Sequence, residues 1–230
     1  MRIYNDLRDV GEANEIVSEY VRNKIRAIVK DPKKAEKLIP DYPIGAKRIC
    51  IDHGYYEAFN LDHVHIVDLK ETPIVEITPG GLRTAGKEYP LDIIVFATGF
   101  DAMTGALLRM DIRGRKGISL GEKWEGGGKL RTFAGLMHEG FPNMFTISGP
   151  QSPSVHVNVP TLTEFSVDYI CDCINFLQEF GFDSIEATSV LEEEWTAHVN
   201  EVASRSVISK VDNWYNGGNI AGKPRTFLTY

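Results

Sequence analysis

The stretch Asp92-Ile93-Ile94-Val95-Phe96-Ala97-Thr98-Gly99-Phe100-Asp101 contains an apolar run that stops abruptly at Thr98 and Gly99. A half-exposed strand would alternate apolar and polar residues, so the run predicts a strand buried on both faces of a parallel sheet. A glycine at the carboxyl end of such a strand lets a ligand approach the backbone closely. The stretch therefore predicts an α/β fold, with either a ligand or a simple turn at the tip of this strand.

Composition and charge narrow the class of protein. The 230 residues are 43% hydrophobic and 25% charged, which is typical of a globular protein. A formal net charge of -7 argues against nucleic-acid or anionic-membrane surfaces, because those need clustered Lys and Arg. The chain begins without a secretion signal, and no run approaches the roughly 20 apolar residues of a membrane span. We expect a cytoplasmic protein with neither nucleic acid nor membrane as a partner.

Periodicity and turn residues predict helices, a hairpin and further buried runs around the opening stretch. The predicted segments are a helix from Asp9 to about Val29, a helix from Pro32 to Pro40, a strand at Val64–Asp68, a hairpin of Ile74–Thr78 with Leu82–Thr84, a buried run at Phe141–Pro150, and helices at 161–180 and 192–207. We expect Gly181 to end the helix at 161–180. That helix is predicted to bury Val167, Ile170, Cys171, Ile174 and Leu177, whereas Trp124–Gly128 is expected to form surface turns.

Cysteines and histidines do not indicate a disulfide framework or a metal site. Cys50, Cys171 and Cys173 are too few for such a framework, and we expect buried thiols. His63 and His65 share one strand face without a third ligand, so no zinc site is predicted.

Phosphate-binding motifs are missing from the 230 residues. The sequence contains neither G-x-G-x-x-G nor G-x-x-x-x-G-K-[ST], the two Gly-rich turns that hold dinucleotide and nucleotide phosphates. The ends of the predicted strands are thus suited to binding a cofactor, but the sequence contains no complete phosphate-binding turn.

Several segments, taken in order, resemble flavin-dependent Baeyer–Villiger monooxygenases of the phenylacetone and cyclohexanone group. They are the strand Asp92–Phe100, the pair Lys47-Arg48 ahead of Tyr55-Tyr56, Ile112-Arg113-Gly114, the Gly149-Pro150 loop, and the tail from Trp214 to Arg225. The resemblance covers nearly the whole chain and matches the carboxyl-terminal portion of that family. It implies a partial flavoprotein fold with two dinucleotide-binding domains, for FAD and NADP, and a helical insertion.

The resemblance also implies domain boundaries. Residues 1–40 match the helical insertion, 41–99 match the end of the NADPH-binding domain, and 100–230 match the returning part of the FAD-binding domain. The family's G-x-G-x-x-G turns lie upstream of this portion. The implied enzyme uses FAD, NADPH and O2 to convert ketones to esters or lactones, and it needs an amino-terminal half as partner for full activity.

Site residues follow from the resemblance position by position. Arg48 matches the active-site arginine, whose guanidinium would stabilise the negative oxygens that form during oxygen insertion. Lys47 matches a residue at the phosphate-bearing ribose of NADPH, and Trp214 matches a tryptophan whose indole donor contacts NADP. Val159 matches a residue placed against the flavin, where many relatives have Met. Thr98 and Gly99 are the remaining cofactor-binding candidates.

Two alternatives stay open at this point. The chain could be a non-catalytic remnant that acts as a protein-interaction module, or a piece of a related flavin N- or S-monooxygenase. His156, in the loop before the helix at 161–180, could line a substrate pocket or face solvent.

Overall fold

A computed structural model describes residues 7–9, 11–152 and 157–228 of the chain. The described residues divide into two units. The first comprises Leu7, Gly11–Ile44 and Arg48–Gly99, and the second comprises Arg8, Asp9, Gly45–Lys47 and the described residues from Phe100 onward. Assignment of these units to NADPH- and FAD-binding domains stays a prediction.

Two helices and a small sheet build the first unit, together with one helical turn. Helices α1 (Glu12–Ile28) and α2 (Pro32–Leu38) confirm the predicted helical pair. Asp31 caps α2, since its side chain accepts a hydrogen bond from the Lys33 N–H, and Pro32 occupies the first turn, where its missing donor costs nothing. Ile25, Val29 and Ala35 pack between the two helices, and the turn α3 (Tyr55–Ala58) adds Tyr56 to this core.

The sheet of the first unit is antiparallel, in the order β1 (Ile74–Thr78), β2 (Gly81–Thr84), β3 (Glu88–Pro90). The predicted hairpin is therefore confirmed. Its turn requires glycine at position 81, because φ is +153° and an added Cβ would collide with the Tyr89 carbonyl oxygen.

The predicted buried strand at residues 92–97 is not formed. The segment has no strand pairing, and Ile93, Val95 and Phe96 are 79%, 82% and 65% exposed. A strand buried on both faces needs neighbouring strands and covering helices, and the described residues provide neither here. The predicted strand at Val64–Asp68 is also wrong, and the run Phe141–Pro150 forms turns with one isolated bridge, between Met137 and Phe145.

Helices are the main regular elements of the second unit, and long loops with many hydrogen bonds join them. It contains α4 (Gly105–Arg109), α5 (Leu120–Lys123), α6 (Val159–Phe180) and α7 (Ser189–Arg205), with short 3-10 helices at Arg115–Gly117, Glu125–Gly127 and Val207–Lys210. One core cluster consists of Leu120, Trp124, Leu130, Phe141 and Leu228. The expectation of surface turns at Trp124 is wrong, because this side chain is fully buried and its indole donates to the Arg131 carbonyl at 3.0 Å.

Helix α6 has the predicted length but a different buried face. Gly181 ends it in the left-handed conformation, as expected. The buried residues are Leu162, Ser166 and Cys173, whereas Val167 and Ile174, two of the predicted core residues, are 41% and 44% exposed. Apolar residues occur on both sides of this helix, so periodicity alone does not select its packed face. Cys171 and Cys50 are exposed, which corrects the expectation of buried thiols for these two residues.

Within the described ranges, no helix is long and apolar enough to cross a membrane. The described residues contain both helices and a sheet, as the predicted fold class requires, but their sheet is antiparallel rather than parallel.

Candidate functional site

The six predicted site residues are divided between the two units. Arg48, Thr98 and Gly99 lie in the first, and Lys47, Val159 and Trp214 lie in the second. Trp214 is half-buried and the other five are exposed. Their assembly into one site stays a prediction, and His156 lies outside the described residues.

Lys47 follows a firmly held piece of backbone. Ala46, the residue before it, is completely buried, and its carbonyl accepts a hydrogen bond from Asn213 Nδ2 at 3.1 Å. Gly45 has a φ of +83°, a conformation that favours glycine, and a Cβ added there would touch Val207 at 3.9 Å. The loop 45–47 therefore presents the exposed residue Lys47 directly after a buried anchor.

Trp214 occupies a turn that is fixed by the residues on either side. Its ring stacks on Tyr215, with 4.1 Å between ring centroids and 29° between ring planes. Tyr215 is buried, its N–H donates to Asn213 Oδ1 at 2.9 Å, and its carbonyl accepts from the Leu228 N–H at 2.8 Å. Further along the tail, the buried Lys223 ammonium contacts Asp101 Oδ1 at 2.5 Å. The indole therefore packs against a ring whose backbone is held by hydrogen bonds on both sides.

Arg48 lies at the start of an exposed segment. Ile49 and Ile51, which follow it, are both exposed, and Cys50 Sγ lies 3.9 Å from the Arg48 carbonyl oxygen. A guanidinium remains protonated at any pH a protein tolerates and presents five donors in a planar fork. The side chain thus has the chemistry to stabilise an oxyanion.

Thr98, Gly99 and Val159 complete the predicted set. Gly99 has a φ of +78°, yet an added Cβ would meet nothing within 4 Å, so backbone conformation rather than close packing favours glycine here. Val159 is the first residue of α6 and is followed by Pro160 in the first turn. Both Thr98 and Val159 are exposed.

The buried polar contacts between α5, α7 and the loop at Glu139 were not predicted from the sequence. Glu192 accepts hydrogen bonds from Lys123 Nζ and, at 2.7 Å, from the Glu139 N–H. Burial raises the pKa of the Glu192 carboxyl, and these two donors offset part of that rise. In sequence, Glu192 lies 69 residues from Lys123 and 53 residues from Glu139, so no local sequence pattern predicts these contacts.

His138 is buried beside this cluster and is neutral. Its Nε2 lies 3.0 Å from Thr146 Oγ1, whose own hydrogen points to the Gly135 carbonyl at 2.7 Å, so Nε2 carries the imidazole proton. Burial, with the Lys123 charge as a smaller cause, lowers the pKa of His138 to about 4. The ring contacts Trp124 edge to face, which gives it a packing role in the core.

Relatives match the chain along nearly its whole length. A Baeyer–Villiger monooxygenase from Pseudooceanicola batsensis is 40% identical over 226 residues, or 98% of the chain. Cyclopentanone 1,2-monooxygenase from a Comamonas species is 42% identical over 222 residues, or 95% of the chain. The chain is homologous to the Baeyer–Villiger monooxygenases. Its resemblance to that family is thereby confirmed, although no family model matches the chain.

The match covers only part of each Baeyer–Villiger monooxygenase. The chain spans about two fifths of the relatives' length, 41% of the Pseudooceanicola enzyme and 40% of the Comamonas enzyme. A crystal structure of OTEMO in complex with FAD and NADP superposes with a TM-score of 0.90 at 40% identity, covering 98% of this chain and 41% of that one. Phenazine N-monooxygenase from Lysobacter antibioticus is 39% identical over 228 residues, 99% of the chain and 41% of that protein.

Proposed function

We propose that the chain is the carboxyl-terminal part of an FAD- and NADPH-dependent Baeyer–Villiger monooxygenase. The complete enzyme would insert one oxygen atom of O2 next to a ketone carbonyl and release an ester or a lactone. The observation that carries this proposal is 40% identity to a Baeyer–Villiger monooxygenase over 98% of the chain. The cytoplasmic location expected from the sequence stays a prediction.

The donor groups of the chain fit the cofactors in part. An exposed ammonium at Lys47 and an indole N–H at Trp214 suit the phosphate and carbonyl oxygens of NADPH, and both stand on anchored backbone. The 230 residues contain no G-x-G-x-x-G turn for a pyrophosphate. We therefore assign the pyrophosphates of both cofactors to an amino-terminal half. When bound, NADPH supplies the hydride and FAD activates O2.

Arg48 is the residue we assign to the oxygen-insertion step. Negative charge develops on oxygen as a ketone is attacked, and a preorganised guanidinium stabilises that charge. Loss of one such donor typically lowers the rate by about 10²–10³. Lysine would keep the charge but would lose the forked donor geometry.

The test uses the chain joined to its upstream half. NADPH consumption and ester formation are measured with and without ketone, for the unaltered protein and for Arg48→Ala and Arg48→Lys. We expect Arg48→Ala to lose ester formation by about 10²–10³ while NADPH oxidation continues, and Arg48→Lys to retain part of it. Unaltered ester formation in Arg48→Ala would remove Arg48 from the mechanism.

A second candidate is oxygenation of nitrogen, because phenazine N-monooxygenase is 39% identical over 99% of the chain. The same protein offered a heteroaromatic amine in place of a ketone distinguishes the two reactions by product mass. A third candidate, the interaction module, predicts that FAD does not bind even when the upstream half is present.

A further inference from the structure

Asn213 joins two segments that are 167 residues apart in sequence. Its side-chain amide donates to the carbonyl of Ala46, directly before Lys47, at 3.1 Å. Asn213 itself directly precedes Trp214. All four residues belong to the second unit, so this link lies within one compact part of the chain.

The contacts of Asn213 use the whole of its amide group. Besides Ala46, Nδ2 contacts the carbonyls of Ile208 at 2.8 Å and Val211 at 3.0 Å, and Oδ1 accepts from the Tyr215 N–H at 2.9 Å. The side chain is 3% exposed. An amide with two hydrogens and one oxygen is the residue type that can hold several carbonyls and one N–H together.

Removal of this amide leaves buried backbone groups without their partner. Ala46 is fully buried, so solvent does not replace the bond to its carbonyl unless the loop 45–47 moves outward. The turn at Trp214 would loosen at the same time, because Tyr215 loses its acceptor.

We propose that Asn213 is a positioning residue that holds the Lys47 loop and the Trp214 turn together as one NADP-contacting surface. This rests on the proposed function, in which Lys47 and Trp214 contact NADPH. Asn213 touches no cofactor itself. It acts by keeping two donors from distant parts of the sequence in the same binding-competent arrangement.

The test compares Asn213→Ala and Asn213→Asp with the unaltered protein, in the chain joined to its upstream half. Asp keeps the acceptor for Tyr215 but presents a carboxylate oxygen to three carbonyls. Asn60→Ala is the matched control, since Asn60 Nδ2 donates to the Ile28 carbonyl and its Oδ1 accepts from the Lys30 N–H, both in the first unit and outside the loop 45–47.

One readout needs no cofactor. Trypsin cleaves after Lys47 and Arg48, and cleavage tracks the population of the locally opened loop when opening is fast. We expect cleavage at these two bonds to be about ten-fold faster in both Asn213 variants and unchanged in Asn60→Ala. Equal cleavage in the unaltered protein and the Asn213 variants would overturn the inference, whatever the cofactor measurements show.

The second readout is steady-state kinetics with NADPH. If the competent arrangement falls to about a tenth of the population, KM for NADPH rises about ten-fold while kcat stays within about two-fold. A merely structural role would lower the amount of active enzyme, and hence kcat, at constant KM. Asn213 variants with normal KM overturn the inference, whereas an unaltered protein that never oxidises NADPH contradicts the proposed function instead.

Discussion

Two single residues in the second unit, His138 and Asn213, make buried hydrogen bonds that no local sequence pattern predicts. His138 donates to Thr146 and remains neutral, while Asn213 bridges the Lys47 loop and the Trp214 turn. In the sequence, each of them is a single polar residue within a segment rich in turn-forming residues. Their partners, the Thr146 hydroxyl for His138 and mainly backbone carbonyls for Asn213, follow only from the folded structure.

His138 gives a prediction about pH. Its pKa is about 4 in the folded chain and 6.5 in the reference state, so between these values only the unfolded chain binds the proton. Stability is therefore lost as pH falls from 6.5 towards 4, and this contribution is constant above and below that window. Between pH 7 and pH 5 the loss amounts to about 2 kcal/mol.

Urea unfolding at the two pH values measures this contribution. His138→Gln keeps a donor for Thr146 but does not titrate, so we expect its free energy of unfolding to fall less between pH 7 and pH 5. The comparison between variant and parent cancels the carboxylates that titrate in both. Parallel losses in the two proteins would contradict a neutral His138.

At the level of elements, α5 and α7 are joined by the contact between Lys123 and Glu192. The distance from Nζ to the carboxylate is 2.9 Å, and both side chains are largely buried. Replacing Lys123 by Met leaves a buried carboxylate without its cation, which costs about 3–5 kcal/mol. The double variant Lys123→Met/Glu192→Gln restores a neutral pair and should recover part of that loss.

The free energies of unfolding of the two single variants and the double variant measure the coupling between Lys123 and Glu192. We expect strong non-additivity, because the cost comes from an unpaired charge rather than from lost packing. Arg205→Met serves as a control, since its ion pair with Glu201 is exposed and contributes little. Additive effects would show that the pair does not act as a unit.

Helices and turns could be predicted from the sequence where nearby residues determine them. Helices α1 and α2, the hairpin at Gly81 and the end of α6 at Gly181 all follow from periodicity, caps and turn residues. The packed face of α6 and the burial of residues 92–97 could not be predicted from the sequence. Burial depends on which other segments cover a surface, and local patterns do not contain that information. The Lys47 and Trp214 positions came only from family resemblance, and no local pattern marks Asn213.

At the level of the whole molecule, the apolar run at 92–97 has the sequence pattern of a buried strand but pairs with no other strand among the described residues. Ile93, Val95 and Phe96 are exposed, and the chain spans about two fifths of its relatives' length. Exposed apolar runs of this size normally pack against another surface. We expect the upstream half to pair with and cover this segment.

Hydrogen exchange of residues 92–99 tests that expectation. Exchange should slow by at least about ten-fold when the upstream half is joined to the chain, because unpaired amides become hydrogen-bonded. Amides in the middle of α1 already have helical partners and serve as an internal control. Equal exchange of residues 92–99 with and without the upstream half would exclude this pairing.

We propose that the complete protein inserts one oxygen atom of O2 next to a ketone carbonyl. The most direct measurement supplies it with FAD, NADPH, ¹⁸O₂ and a panel of cyclic and acyclic ketones, and records product masses. We expect an ester or lactone that contains one ¹⁸O atom and forms only with NADPH. A protein that binds FAD and oxidises NADPH, yet yields no labelled ester or lactone from any ketone, would contradict it.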